Sequence, residues 1–334
     1  MAEMINKKSS ILFILAIALL MPYIVPNEYI LHVLVLVCIW SISVYGINIF
    51  TGYTGNLSLA HVGFFAIGAY TLGLLTVKAD WNFWFALLGA CVLSIILGTL
   101  VGLISLRTSG HFFAIYTMCV GYIIYLVIDK WDDLTGGVRG LVGIPSPASI
   151  GPVSFDSLTA QYYLVLLILI LTILISKRII QSLLGRTFVA IRNSEELALT
   201  IGISTKKNQL LAFVISCFFA ALSGALYASF VQFIGPEVGS ILLGFEMLIY
   251  LVIGGIGTLS GPLVGTLLIV TLTQSLQFLQ EYRMVFFGPI LLIILIFYPQ
   301  GIVGLVNNIA NKFKRKKVSS QPAGEKNLDK KEVG

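Results

Sequence analysis

Lys177–Lys207 reads KRIIQSLLGRTFVAIRNSEELALTIGISTKK and is the longest polar interruption in the middle of an otherwise mostly apolar chain. Lys177, Arg178, Arg186 and Arg192 precede Gly202, the adjacent acids Glu195 and Glu196 lie between, and Lys206–Lys207 closes the stretch. A connecting loop needs no internal order, yet this one carries the marks of a helix. Asn193 stands where an N-cap would, and Glu196 three residues on completes a capping box. Glu195 and Glu196 fall in the first turn, where the helix dipole favours negative charge. Gly202 stands where a C′ glycine ends a helix. The stretch reads as a short bounded helix held at a membrane surface, a docking element for another protein.

Composition explains why such an element would lie at a membrane. Of 334 residues, 57% are hydrophobic and 11% charged, and the mean hydropathy is +0.96. Soluble domains carry about 25% charged residues. The apolar runs follow one another, so the fold class is all-α, a polytopic integral membrane protein. Net charge is +6, but the cations cluster between or beside apolar runs. That pattern orients a chain in a bilayer and excludes nucleic acid, which needs a basic face on a soluble domain. Cys38, Cys91, Cys119 and Cys217 all lie in apolar runs without ligand-like spacing and read as small buried hydrophobes.

In chain order the apolar runs are Ile11–Pro26, Tyr29–Phe50, Leu57–Val77, Phe83–Leu106, His111–Ile128, Tyr163–Ser176, Asn208–Phe233, Ile241–Ile253, Leu263–Leu279 and Met284–Tyr298. The first has no small-residue cleavage site after it, since Pro22 and Pro26 occupy that region, and reads as a retained helix. Runs near 20 residues fit a hydrocarbon core of about 30 Å. The shorter ones read as broken, tilted or re-entrant. The expected architecture has about ten transmembrane helices, with eight or nine also compatible with the spacing. Residues 1–310 form one transmembrane domain, and 311–334 form a basic, disordered tail. The positive-inside rule puts Lys7–Lys8, Arg107, the 177–207 stretch, the tail and both termini in the cytoplasm, and the acid-rich loop 129–162 outside.

Several residues invite a functional reading. Gly52-Tyr-Thr-Gly-Asn-Leu-Ser58 and Gly254-Gly-Ile-Gly-Thr-Leu-Ser260 share their Gly, Gly, Leu and Ser spacing, and each opens a Gly-containing apolar segment. Paired glycine-interrupted segments point to a substrate path; the alternative is that glycine permits close helix packing. The candidate path residues are Gly52, Gly55, Ser58, His61, Glu246, Gly254, Gly255 and Gly257. His61 suits an interhelical hydrogen bond as well as a path. Glu246, a carboxylate inside an apolar run, reads either as a gate or path-lining group or as a group near a helix end that reaches water. The chain contains no G-x-x-x-x-G-K-[ST], so it does not hydrolyse nucleotide through a P-loop. The sequence brings together no catalytic or metal-ligating constellation, so nothing in it reads as an enzyme.

These residues carry a family resemblance. GRTFVAIRNSEELALTIGIS from Gly185, followed by LLAFVISCFFAALSGALYA (Leu210–Ala228), resembles permease subunits of ABC importers for branched-chain amino acids, of the LivM type. Glu196-Leu-Ala198 followed by Gly202 matches the E-x-A-x-x-x-G core of the loop through which such permeases engage their ATPases. Leu197 stands where the family more often has alanine. Ser58–Leu75, Ser109–Ile123, Leu134–Pro145, Ile253–Thr266 and the Tyr298-Pro-Gln-Gly301 exit look similar in the same order.

The resemblance implies a homologous second permease, two ATPase subunits carrying ATP and Mg, an extracytoplasmic substrate-binding protein, and no cofactor in this chain. It implies ATPase coupling by Arg186, Arg192, Glu195, Glu196, Leu197, Ala198, Ile201 and Gly202, with Leu197, Ala198 and Ile201 as an apolar contact. Lipid phosphates are the other candidate partners of Arg186 and Arg192. Receptor docking falls on Thr135, Gly136, Gly137 and Arg139 of the outer loop. The resemblance implies a bacterial cytoplasmic membrane protein. The apolar path suits an aliphatic amino acid and nearly as well urea or a short amide. An ion-coupled secondary transporter is the competing class, and it would want several intramembrane carboxylates.

Overall fold

The computed structural model describes residues 17–23, 27–149, 151, 154–275 and 301–304. The expected last span Met284–Tyr298, its Tyr298-Pro-Gln exit, Lys7–Lys8 and the tail from 311 lie outside the described residues. So does most of the first expected span, of which residues 17–23 are helical.

The central helix is α1 (Glu28–Ile47), prolonged by a π-type turn at Asn48–Gly52. It is apolar on every side and buried along nearly all of its length, as a helix enclosed by others must be. The first half continues with α2 (His61–Val77), α3 (Phe83–Ser105), α4 (His111–Lys130) and, after the short α5 (Asp132–Thr135), α6 (Leu158–Gln181), of which α6 packs along α1. The second half contributes α7 (Leu183–Asn193), α8 (Glu195–Thr200), α9 (Thr205–Val231), α10 (Ile241–Gly254) and α11 (Gly261–Ser275). Five helical segments, Glu28–Gly52, α3, α4, α6 and α9, are long and apolar enough to cross a membrane; α2, α10 and α11 are shorter apolar helices.

Close backbone approach holds the centre together. Without a hydrophobic force between helices in lipid, small residues at their interface supply the packing. α9 lies against α2, where a Cβ on Gly224 would stand 2.0 Å from the Phe65 carbonyl oxygen and one on Gly68 close upon Ala221. Serine hydroxyls add interhelical bonds. Ser223 donates to the Ile39 carbonyl at 2.6 Å and Ser94 to that of Cys217 at 2.8 Å.

The helix ends gather into two poles. At the first, Lys78 Nζ donates to the carbonyls of Asp133 and Leu134 (2.5 and 2.8 Å), and Trp84 Nε1 to that of Ala148 (3.0 Å). There β1 (Leu141–Val142) pairs antiparallel with β2 (Phe233–Ile234), and the Tyr29 hydroxyl reaches the Gln274 carbonyl. This pole holds Asp80, Asp129, Asp132, Asp133, Asp156 and Glu237 against Lys78, Lys130 and Arg139. The opposite pole holds Arg107 and residues 177–207, and is rich in cations.

Several boundaries differ from expectation. α6 starts at Leu158, capped by Ser157, whose Oγ accepts from Ala160 N (3.2 Å). It runs on through Lys177 and Arg178, so the short span Tyr163–Ser176 becomes a full 24-residue helix. Polar residues at both its ends concealed its length. α10, at 14 residues, spans about 21 Å against a core of about 30 Å. A buried 3-10 turn, Pro236–Gly239, precedes it and packs beside Ala66 and Tyr125, which fits the expectation of a broken segment. Cys38, Cys91 and Cys217 are buried, but Cys119 is exposed on the outer face of α4. An apolar run encodes membrane depth; it does not say which face meets the protein.

Candidate functional site

At the cation-rich pole the 177–207 stretch forms two helices where one was expected. Gly185, Phe188 and Ile191 are buried at three-residue spacing, which makes α7 amphipathic and turns Arg186 and Val189 outward. Asn193 ends α7 and caps nothing. Ser194, in extended conformation, is the N-cap of α8, its Oγ accepting from Leu197 N at 3.2 Å. With the cap one residue later, the third helical position is Leu197, so Glu196 forms no capping box. Glu195 and Glu196 do stand in the first turn.

The C-terminus of α8 is closed as the glycine suggested. Gly202 has φ +83°, its N–H bonds the Leu199 carbonyl (3.0 Å), and Ile203 N bonds that of Ala198 (3.0 Å). This pair of bonds is a Schellman closure.

α8 exposes apolar side chains. Leu197 is 67% exposed, Leu199 54% and Ile201 73%, whereas Ala198 is buried at 2%. Ala198 therefore faces the body of the protein and has no surface to offer a partner, a correction to its assigned contact. Leu199 was missed, and so was Leu183 at the start of α7, which is 79% exposed. In so short a helix only the single buried position reveals which face is inward, and burial is not readable from sequence.

Arg192, itself exposed, reaches back onto the protein. Its Nη1 donates to the Gly52 carbonyl at 2.7 Å, one of the carbonyls that a helix end leaves without an intrahelical partner. Asn48, in the π turn, donates from Nδ2 to the Thr258 carbonyl and accepts at Oδ1 from Gly257 N, both at 2.8 Å. The Tyr45 hydroxyl donates to the Leu259 carbonyl (2.8 Å). Burial raises the Tyr53 phenol above its ordinary pKa, and the Arg192 charge pulls it the other way.

Thus Gly52, Gly55 and Gly257, from the two glycine segments that resemble each other in sequence, meet around one guanidinium. Gly254 and Gly255 lie beside Gly261, Gly265 and Gly301. A Cβ would strike a neighbour at 2.1 Å for Gly52 on Asn48 Oδ1, 2.0 Å for Gly254 on the Gly261 carbonyl oxygen and 2.5 Å for Gly257 on Arg192 Nη1. The glycines permit close approach.

His61 and Glu246 lie within helices α2 and α10 and Ser58 in the non-helical stretch before α2, and all three are buried. His61 joins three helices. Nε2 lies 2.9 Å from the Ser43 carbonyl and 3.1 Å from Ser43 Oγ, and Nδ1 lies 3.0 Å from Ser216 Oγ. A carbonyl only accepts, so Nε2 carries the proton and Nδ1 accepts from the Ser216 hydroxyl. Ser43 also reaches Met247 Sδ at 3.5 Å. Glu246 is buried, with the Tyr250 hydroxyl 3.5 Å from Oε2; it does not reach water at a helix end.

At the acid-rich pole Thr135 and Gly137 are buried. Thr135 Oγ1 donates to the Ile128 carbonyl at 2.6 Å, and Gly137 N bonds Thr135 Oγ1 at 3.3 Å. These two shape the turn, and Gly136 adopts φ +78° within it. Arg139, Val138, Val142 and Phe233 are exposed there.

Residues 29–295 match the family described as branched-chain amino acid transport system / permease component. The high-affinity branched-chain amino acid transport system permease protein LivM of Salmonella typhimurium is 28% identical over 90% of this chain and 75% of its own. The corresponding permease protein LivH of Escherichia coli is 27% identical over 78% and 89%. The autoinducer 2 import system permease protein LsrC of Photorhabdus luminescens is 27% identical over 57% and 58%. No solved structure matches.

Proposed function

Since the chain belongs to the family of branched-chain amino acid transport system permease components, we propose that it is a membrane-spanning subunit of an ABC importer for branched-chain amino acids. Separate subunits hydrolyse the ATP. α8 carries this reading: a helix closed at both ends, with Leu197, Leu199 and Ile201 in solvent at the cation-rich pole. Its apolar side chains would seat in a cleft of an ATPase subunit, which holds the ATP and Mg, with Glu195, Glu196 and Arg186 at the rim. The positive-inside rule makes that pole, and both termini, cytoplasmic, in a bacterial cytoplasmic membrane.

Likeness to both a LivM and a LivH supports pairing with a second, homologous permease. A soluble receptor would deliver cargo to the acid-rich pole, where Arg139 is the exposed member of the four docking candidates. The cargo would pass through the body that contains His61, Ser58 and Glu246. ATP binding drives transport only as far as it favours one transmembrane arrangement over another. Among the described residues Glu246 is the one buried Asp, Glu, Lys or Arg, which disfavours an ion-coupled transporter.

The test is reconstitution in proteoliposomes with the second permease, both ATPase subunits and the receptor. ATP-dependent uptake of leucine, isoleucine and valine is expected. Uptake by this chain alone under an ion gradient, without ATP, would overturn the reading. Receptor-dependent uptake of urea or a short amide would keep the permease role and replace the cargo.

A further inference from the structure

Resting on the reading of α8 as the ATPase-facing helix, we infer that Arg192 is the positioning residue that transmits its motion to the centre of the membrane domain. α7 and α8 are joined covalently to α6 and α9, but α1, the most enclosed helix, is remote from them in sequence. α6 and α9 pack along α1, and Arg192, on α7, adds a direct bond from the polar stretch to its end. Its Nη1 bonds the Gly52 carbonyl at the end of the α1 segment, 140 residues away. A cation at a helix C-terminus is favoured by the dipole as well as by the bond.

The socket around the side chain is built to fit it. A Cβ on Gly257 would lie 2.5 Å from Nη1, and one on Gly55 3.1 Å from Cγ. A side chain at Gly257 would therefore displace the guanidinium, and one at Gly55, strained at φ +81°, would crowd its stem. The contact does not stop at α1. Asn48, one turn before Gly52, holds Gly257 and Thr258 through both ends of its amide, so the turn between α10 and α11 is fastened to the same point. A displacement of α7 and α8 thereby reaches the end of α1 and the α10–α11 pair at one point, beside the broader packing of α6 and α9 along α1. The π turn at Asn48–Gly52 is a local break in the helix ladder of the kind found at functional sites, and it is where that displacement arrives.

The experiment uses the assembled transporter in proteoliposomes, comparing Arg192→Ala, Arg192→Lys, Gly257→Ala and the Arg192→Ala/Gly257→Ala double variant. Copurification of the ATPase subunits and receptor-stimulated ATP hydrolysis are both measured. Leu197→Asp/Ile201→Asp serves as the docking control. Arg192→Ala and Gly257→Ala still assemble but lose stimulation by on the order of ten-fold, within the range of site-to-site coupling. The double variant is no worse than the worse single one, because both break the same link. Arg192→Lys, with one donor able to reach the Gly52 carbonyl, recovers part of the stimulation.

Native stimulation in Arg192→Ala with a dead docking control overturns the Arg192 link alone. A native docking control overturns the reading of α8 and the link with it. Multiplicative loss in the double variant, or failure of Arg192→Ala to copurify with the ATPase, assigns Arg192 another role and overturns the link.

Discussion

The exposed apolar side chains of α8 allow a direct calculation. Burying a Leu or Ile side chain completely is worth about 1.5–3 kcal/mol. Leu197 and Ile201 are 67% and 73% exposed, so most of that gain is still available when a partner covers them, roughly 1–2 kcal/mol each. Ordering these two side chains costs about 0.5–1 kcal/mol apiece, and alanine retains a methyl group at each position. Leu197→Ala/Ile201→Ala should therefore weaken ATPase binding by about 1 kcal/mol, roughly five-fold in Kd. The assay is titration of purified ATPase subunits onto the permease pair in nanodiscs. A second pair, Leu100→Ala/Leu103→Ala, removes similar exposed apolar surface from α3, far from α8 in the chain, and should leave Kd unchanged. Native affinity in the α8 double variant, or equal loss in both pairs, would refute the docking surface.

Three further outcomes follow from particular contacts. Gly202→Ala meets open space, so its cost comes only from holding a non-glycine residue at φ +83°, about 1 kcal/mol; limited proteolysis should cut faster within 194–204 while the protein stays in the membrane. Gly224→Ala forces a Cβ to within 2.0 Å of the Phe65 carbonyl oxygen, an overpacking that costs about 1–3 kcal/mol. It should lower the thermal unfolding midpoint in detergent, and an unchanged midpoint would show that α2 and α9 are less tightly packed. In the isolated chain in detergent, a small maleimide should modify Cys119, the exposed cysteine, and leave Cys38, Cys91 and Cys217 unmodified, as read by intact mass.

The helices around the candidate site were legible where the signal was local. Gly202 announced its Schellman closure because a left-handed residue after a helix is a local demand that glycine meets best. Glu195 and Glu196 announced the first turn. The N-cap was misplaced by one residue because Asn193 and Ser194 are both good caps, and their choice depends on where α7 stops. α7 itself went unread: its inward face of Gly185, Phe188 and Ile191 is interleaved with arginines that made the segment look uniformly polar.

The apolar runs, the polar stretch between them and the order of family-like segments pointed by themselves to a helical membrane permease with a short helix bounded near residues 195–202. Those properties depend on composition and on neighbours within a turn or two. Only the tertiary structure decided that Ala198 faces inward while Leu199 faces out, that His61 bonds Ser43 and Ser216, and that Arg192 bonds the Gly52 carbonyl. Each of these is fixed by helices remote in sequence arriving at one place. The likeness of the Gly52 and Gly254 segments hinted at a shared role, but their junction around one guanidinium arises from packing, which no local pattern specifies.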